Sequence, residues 1–199
     1  MEVEAPRIVQ VGDPVLRAAT AAVAPDTIRT PQIQNLIRGM VAAMHKAPGV
    51  GLAAPQVGVS QRIIVMEDRP EMTAGLPQDV LMEREREPQP LRVLINPVMT
   101  PIGAEMRDFF EGCLSITGYT AMVTRHREVA VSYLDEKGDP QEWRARGWPA
   151  RVMQHEYDHL ERVLYTDKMI RQSFMSTDEF KARHASKLIA DLKQELGIP

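Results

Sequence analysis

Gln154-His155-Glu156-Tyr157-Asp158-His159-Leu160 carries two histidines four residues apart. On a helix that spacing stacks them one turn above each other on the same face. Their imidazole nitrogens can then converge on one cation, at roughly 2.0–2.1 Å each for zinc. Glu156 is rotated about 100° from His155 around the helix axis, which suits a group that touches a water beside the cation better than one that binds the cation. The flanks agree with a helix. Val152, Met153, Leu160, Val163 and Leu164 recur at helical spacing, and Pro149 is tolerated in a first turn. The competing reading is two surface histidines on an ordinary helix, so the rest of the chain has to supply a third ligand.

Length and composition bound the remaining possibilities. A chain of 199 residues reads as one medium domain, or at most two small ones, and can bury a sizeable core. Its 44% hydrophobic and 26% charged residues are those of a soluble globular protein. A formal net charge of −3 gives no electrostatic argument for direct nucleic-acid binding or for an anionic membrane, and no run approaches the roughly 18 apolar residues of a membrane span. Met1-Glu2-Val3-Glu4-Ala5-Pro6 is acidic and has no apolar core, so it reads neither as a signal peptide nor as a transit peptide. The expected location is the cytoplasm, with a mature organellar form after processing as the alternative. Most of the twelve methionines should be core filler.

Residues 1–29 read as irregular, broken by Pro6, Gly12, Pro14 and Pro25. Thr30-Pro31 reads as the N-cap and first-turn proline of an N-terminal helix that ends near Lys46. Its stripe is Ile33, Leu36, Ile37, Met40, Val41 and Met44, and His45 reads as a solvated residue favoured by the helix dipole. Gly49-Val50-Gly51-Leu52-Ala53-Ala54-Pro55-Gln56 lets the backbone approach a neighbour closely, but it has neither the lysine of a phosphate loop nor the third glycine of a dinucleotide fingerprint. A buried strand is expected at 62–66, followed by a polar, solvated and mobile excursion at 67–90. Short strands follow at 91–95, 98–102 and 105–110, separated by Pro97 and Gly103, with further β segments at 122–123 and 129–133 and a hairpin return at 141–146. Ser176-Thr177-Asp178-Glu179 is a capping box opening a last helix, with Phe180, Ala185, Leu188, Ile189, Leu192 and Leu196 buried and Gly197 as its stop. This order predicts an α+β fold, with antiparallel β-sheets packed around a central metal-binding helix and a helix near each terminus.

Cys113, the only cysteine, excludes an intramolecular disulfide. It stands in Phe109-Phe110-Glu111-Gly112-Cys113-Leu114-Ser115, where the preceding glycine permits an unusual turn. A buried apolar thiol, a nucleophile and a metal ligand are all open readings. Its chemistry favours the ligand, because thiolate binds zinc or ferrous iron well and a catalytic site of this kind needs three protein ligands and an open position.

Three stretches together, Gly49 to Gln56, Glu111-Gly112-Cys113-Leu114-Ser115 and Gln154 to Leu160, resemble the peptide deformylase signature in order, and the likeness extends from about residue 8 to about residue 170. The run from Phe109 to Arg125, Gly147-Trp148 and the segment from Leu164 to Met169 are similar to the subgroup that includes organellar deformylases. Arg162 departs from the family, where glycine is usual, and puts the local helix geometry in question. The resemblance implies Cys113, His155 and His159 as ligands of one divalent ion, Fe(2+) in the cell, with Ni(2+), Co(2+) or Zn(2+) able to substitute. It implies Glu156 as general acid and base, and Gln56 with the Leu114 N–H as donors to the oxyanion. Gly51 would hold the substrate backbone, and Val50, Phe109, Trp148 and Val152 would form the methionine pocket. Glu111 and Arg125 would pair near the site. The implied reaction removes formyl groups from N-formylmethionyl nascent chains, releasing formate, with a transient ribosome contact. Two alternatives are a zinc endopeptidase, whose third ligand usually lies downstream of the helix, and a non-catalytic metal or peptide-binding module.

Overall fold

The computed structural model describes residues 4–198. Among them, the first regular helix, α1 (Pro31–Lys46), starts where the proline predicts. Thr30 stands at the N-cap position, but its hydroxyl turns back to donate to the Thr27 carbonyl at 2.7 Å. β1 (Gly51–Ala53) and β2 (Ile63–Asp68) follow, then α2 (Gln78–Glu83), β3 (Gln89–Pro101), β4 (Met106–Cys113), β5 (Ile116–His126), β6 (Glu128–Leu134) and β7 (Pro140–Arg146). The chain closes with α3 (Trp148–Leu160), α4 (Tyr165–Lys168), β8 (Met175–Ser176), α5 (Thr177–Arg183) and α6 (Ile189–Leu196). The strands form a five-stranded sheet in the order β1-β2-β3-β6-β7 and a three-stranded sheet in the order β4-β5-β8, with every pairing between them antiparallel.

The continuous apolar run in β2 has a direct cause. Ile63 and Val65 face α1, packing with Ile33, Ile37, Met40 and Met44, whereas Ile64 and Met66 face α3, packing with Ala150, Val152 and Met153. A strand covered on both faces loses the polar half of its alternation. Each of these fully buried side chains contributes about 1.5–3 kcal/mol of transfer free energy, so α3 is held by apolar packing on one side. Its other side is buried too, although it carries Arg151, Gln154, His155, Glu156, Asp158 and His159. A helix this polar stays buried only if those groups find partners or a ligand.

Several expectations need correction. The strands expected at 91–95 and 98–102 are one strand, because Asn96 and Pro97 form a bulge inside β3 rather than a turn. Asn96 sits at φ 51°, and its side chain bonds both the Val23 N–H and the Val23 carbonyl at 2.8 Å. The β segment expected at 122–123 belongs to the eleven-residue β5. The last helix is two helices, with Ser176 capping the first through a 3.2 Å bond from the Glu179 N–H. The second begins where the Glu83 carboxylate accepts from the Ile189 N–H at 3.0 Å, and it ends as expected with Gly197 at φ 63°. His45 is half-buried against Glu67 rather than free in solvent.

The excursion at 67–90 keeps many exposed residues but is anchored to the domain at both ends of its polar run. Val80 is completely buried, and Arg86 makes a two-pronged ion pair with Asp68 at 2.8 and 3.0 Å, both side chains less than a tenth exposed. Its charges mislead a sequence reading because their partners lie on other elements, as with Glu85, which holds Arg127 and Arg146.

Arg162 just beyond α3 lies at φ 65°. That is the left-handed region, which costs an L-residue roughly 1–2 kcal/mol and explains why glycine would suit the position. Arg162→Gly is therefore expected to raise unfolding free energy by about 0.5–1 kcal/mol, after allowing for glycine's greater freedom in the unfolded chain. Urea titration checks this, and a destabilised variant would contradict it.

Candidate metal centre and groove

α3 presents His155 and His159 from successive turns, their ring centroids 5.2 Å apart. Cys113 arrives at the end of β4, where the ladder changes register. Gly112 pairs with Thr120, but Cys113 pairs with Ile116, so Thr117, Gly118 and Tyr119 form an excess in β5. The bulge includes Gly118 at φ 87° and turns Cys113 toward α3. One ligand atom from each of Cys113, His155 and His159 lies within 4.8 Å of the others, with the Cys113 Sγ 3.3 Å from His159 Nε2. His155 Nδ1 bonds Glu111 Oε2 at 2.9 Å, which leaves Nε2 for a ligand. Burial, then the charges of His155 and Arg125, hold His159 well below the usual imidazole range, in the neutral form that ligates metals. One sulfur and two imidazole nitrogens are a donor set that fits one zinc or ferrous ion.

Glu156 is buried, and its Oε2 has no protein partner among the described residues. Burial pushes its carboxyl up to about 7, partly offset by the positive charge of His155. An unpartnered buried carboxylate beside a donor set is the arrangement that a water between the two would satisfy. Gly51 in β1 lies directly against it, since a Cβ there would stand 2.4 Å from Glu156 Oε1. Gly51→Ala should therefore displace the carboxylate. Misplacement of about 1 Å can cost 10²-fold, so kcat should fall by about that factor with metal content unchanged. A fully active alanine variant would show that the carboxylate position does not matter. Gln56 approaches from the turn after β1. Its Oε1 accepts from the Ala53 N–H at 2.8 Å, which directs Nε2 toward Ser115 Oγ at 3.3 Å and Cys113 Sγ at 3.5 Å.

Behind the ligands lies a buried ionic network. Glu111 meets Arg125 in a two-pronged pair, each bond 2.9 Å, and also accepts from Arg151 Nη1 at 2.7 Å. Arg125 continues to Asp158 at 2.5 Å, and Lys168 closes on Asp158 at 2.7 Å. Burial alone would raise the Glu111 carboxyl, but Arg125, together with the hydrogen bonds from His155 and Arg125, outweighs it and holds Glu111 well below the usual carboxylate range. Sequence reasoning anticipated only the Glu111–Arg125 pair. The signal for the others was their spacing, since Arg151 is one turn before His155, and Asp158 is three residues after it.

A groove of about 680 Å3 runs past these groups. Val50, Gly51, Gln56, Cys113, Leu114, Trp148, Val152, His155 and Glu156 all line it. Phe109 does not, because its ring is covered by the Arg151 guanidinium at 5.1 Å, and the neighbouring Phe110 lines the groove instead. The excursion contributes Met72 and Arg86. Arg86 and Arg84 lie over the Trp148 ring at 4.9 and 5.6 Å, so Trp148 is fixed by two guanidinium groups as well as by core packing.

Among the described residues, fold and groove thus bring together one Cys-His-His donor set that could hold a single metal ion beside a buried helix. Residues 5–194 match the family described as polypeptide deformylase. The chain belongs to that family. It is 45% identical over 173 residues to the chloroplastic peptide deformylase 1A of Solanum lycopersicum, covering 87% of this chain and 62% of that protein. It is 46% identical over 169 residues to peptide deformylase 1 of Streptomyces coelicolor, covering 85% and 75%. The chain thus spans slightly less than two thirds of the tomato relative's length. Among solved structures, the Met-Ala-Ser-bound class I type b peptide deformylase of Acinetobacter baumannii superposes with TM-score 0.74 at 30% identity, over 85% of this chain and 100% of that one. The relatives include organellar and bacterial proteins. No helix among the described residues is long and apolar enough to cross a membrane.

Proposed function

We propose that this chain is a metal-dependent hydrolase that removes the formyl group from the N-terminal N-formylmethionine of new polypeptides and releases formate. The observation that carries the reading is the unpartnered Glu156 Oε2 in a groove lined also by Cys113 and His155, two members of the Cys113, His155 and His159 donor set. The product peptide in the Acinetobacter baumannii structure supports the substrate class. Cys113, His155 and His159 would hold a divalent ion, which would supply Lewis acidity and lower the pKa of water at the site. Fe(2+) is the ion we assign to the cell, with nickel, cobalt or zinc able to replace it.

The chain's own residues do the rest. Glu156 takes a proton from the attacking water and returns it to the departing amine nitrogen. Gln56 Nε2 and the Leu114 N–H donate to the oxygen on which charge develops. Gly51 leaves room for the substrate backbone beside Glu156. Val50, Trp148 and Val152, with Phe110 in the place expected of Phe109, receive the methionine side chain. Glu111 fixes the His155 tautomer, and Arg125 and Arg151 keep Glu111 ionised. Two sheets that meet on one helix support a single catalytic domain. The proposed setting is cytoplasmic or the interior of an organelle, with brief contact at the ribosome.

The test is formate release from formyl-Met-Ala-Ser by protein loaded with nickel under anaerobic conditions. Turnover should require the formyl group. Cleavage of internal peptide bonds without formyl dependence would make it an endopeptidase, and metal binding without turnover would make it a binding module.

A further inference from the structure

Residues 9–20 run as a strap across all three signature stretches. The Val9 N–H donates to the Gln56 carbonyl at 2.9 Å, and the Val11 N–H to the Ser115 carbonyl at 2.7 Å. Farther along, Arg17 Nη1 donates to the Arg162 carbonyl at 2.8 Å, Arg17 Nη2 reaches Asp167 Oδ1 at 2.9 Å, and Thr20 Oγ1 donates to the Leu160 carbonyl at 2.9 Å. Gln10 stands between the first two bonds, and both ends of its amide are engaged. Nε2 donates to the Leu114 carbonyl at 2.9 Å, while Oε1 accepts from the Thr117 N–H at 3.2 Å and from Thr117 Oγ1 at 2.9 Å. The amide orientation is determined, because a carbonyl can only accept and a backbone N–H can only donate.

The turn that Gln10 grips has few bonds to its own sheet. Thr117, Gly118 and Tyr119 have no partners on β4 and are exposed, and it is Tyr119, at the far end, that pairs with Ser176 of β8 and stacks on Phe174. Cys113 anchors one end of the turn in the donor set. At the other end, Gln10 ties Leu114 to Thr117, and the strap backbone ties Ser115. The exposed Thr117–Gly118 segment, which lacks partners on β4, opens locally at little cost, and the direction of the Leu114 N–H follows the peptide planes on either side of it.

We propose that Gln10 is a positioning residue for the deformylation reaction. Resting on the function proposed above, its two-ended clip on Leu114 and Thr117 keeps the Leu114 N–H aimed at the oxygen on which charge develops. Gln10 touches neither substrate nor metal, so its effect is on the stabilisation of the transition state.

Two variants test it. Gln10→Leu keeps the side-chain length and removes both bonds. Gln10→Glu keeps an acceptor for Thr117 but sets an oxygen against the Leu114 carbonyl. Removal of an oxyanion donor costs about 10²–10³-fold. Loosening one should cost about tenfold in kcat on formyl-Met-Ala-Ser, with KM within about twofold. Gln10→Glu should not rescue kcat. Both variants should hold one nickel per chain, stay folded at the assay temperature and show faster amide exchange confined to residues 113–118. Unchanged kcat, a loss confined to KM, exchange rising across α3, or a fall in metal content would each overturn the proposal. A wild-type protein that releases no formate would overturn the proposed function and this inference with it, whereas active wild type with active Gln10→Leu overturns this inference alone.

Discussion

Glu156→Gln is expected to retain one metal ion per chain and to lose about 10²–10⁴-fold in kcat, the range typical of a positioned general acid or base. The amide is nearly isosteric, so the wall it forms against Gly51 is kept. It cannot take up a proton at neutral pH, whereas the carboxylate, lifted to about 7 by burial, exchanges one near the working pH. Metal analysis and steady-state kinetics on the same preparation check the outcome. A variant retaining more than about a tenth of wild-type kcat would remove Glu156 from proton transfer. Loss of the metal together with activity would make it part of the donor set instead.

Gln56→Ala should lower kcat by about 10²–10³-fold, the cost of deleting one oxyanion donor. The side chain is buried and fixed at its oxygen by the Ala53 N–H, so its nitrogen is aimed before substrate arrives and little reorganisation is needed. The variant also leaves the Ala53 N–H without that acceptor, a stability cost of about 1–3 kcal/mol. Tm should therefore fall while nickel content holds. Kinetics at saturating substrate, below the lowered Tm, separate the two effects. An intact kcat with a raised KM would assign Gln56 to ground-state binding.

The histidine part of the donor set was legible in the sequence because it is local, the His155–His159 spacing being one helical turn. Cys113 was indicated by its chemistry and by the resemblance, whereas the turn expected at Gly112 is instead a bulge that includes Gly118 on the neighbouring strand. The Ser176 N-cap and the left-handed stop at Gly197 are likewise local and stand as expected, although Glu179 pairs with Arg183 rather than completing the capping box. What was hidden depends on partners far along the chain. Glu85 and Arg86 looked solvated because Arg127, Arg146 and Asp68 are not their neighbours in sequence. Phe109 and Phe110 could not be told apart, because strand alternation indicates opposite faces without saying which one Arg151 covers. The break between α5 and α6 lies in a stretch whose apolar spacing continues unbroken, and Glu83 from another element supplies the second start. Residues 9–20 looked like mere lead-in because their partners, many of them backbone carbonyls, lie far along the chain and leave no trace in the local side-chain pattern.

Arg17 and Asp167 stand 150 positions apart in the chain, and Thr20 and Leu160 stand 140 apart. Joining ends that distant costs an unfolded chain on the order of 4 kcal/mol in closure entropy beyond a constant term. The strap thus makes the protein a ring closed by hydrogen bonds and ion pairs, and the ring passes through the reaction centre. Such contacts form late, because nothing local rewards them until the intervening sheets are in place. The Arg17–Asp167 and Thr20–Leu160 contacts therefore close only after the segment that carries the histidine helix has been made, so the helix precedes the clasp that ties it to the strap.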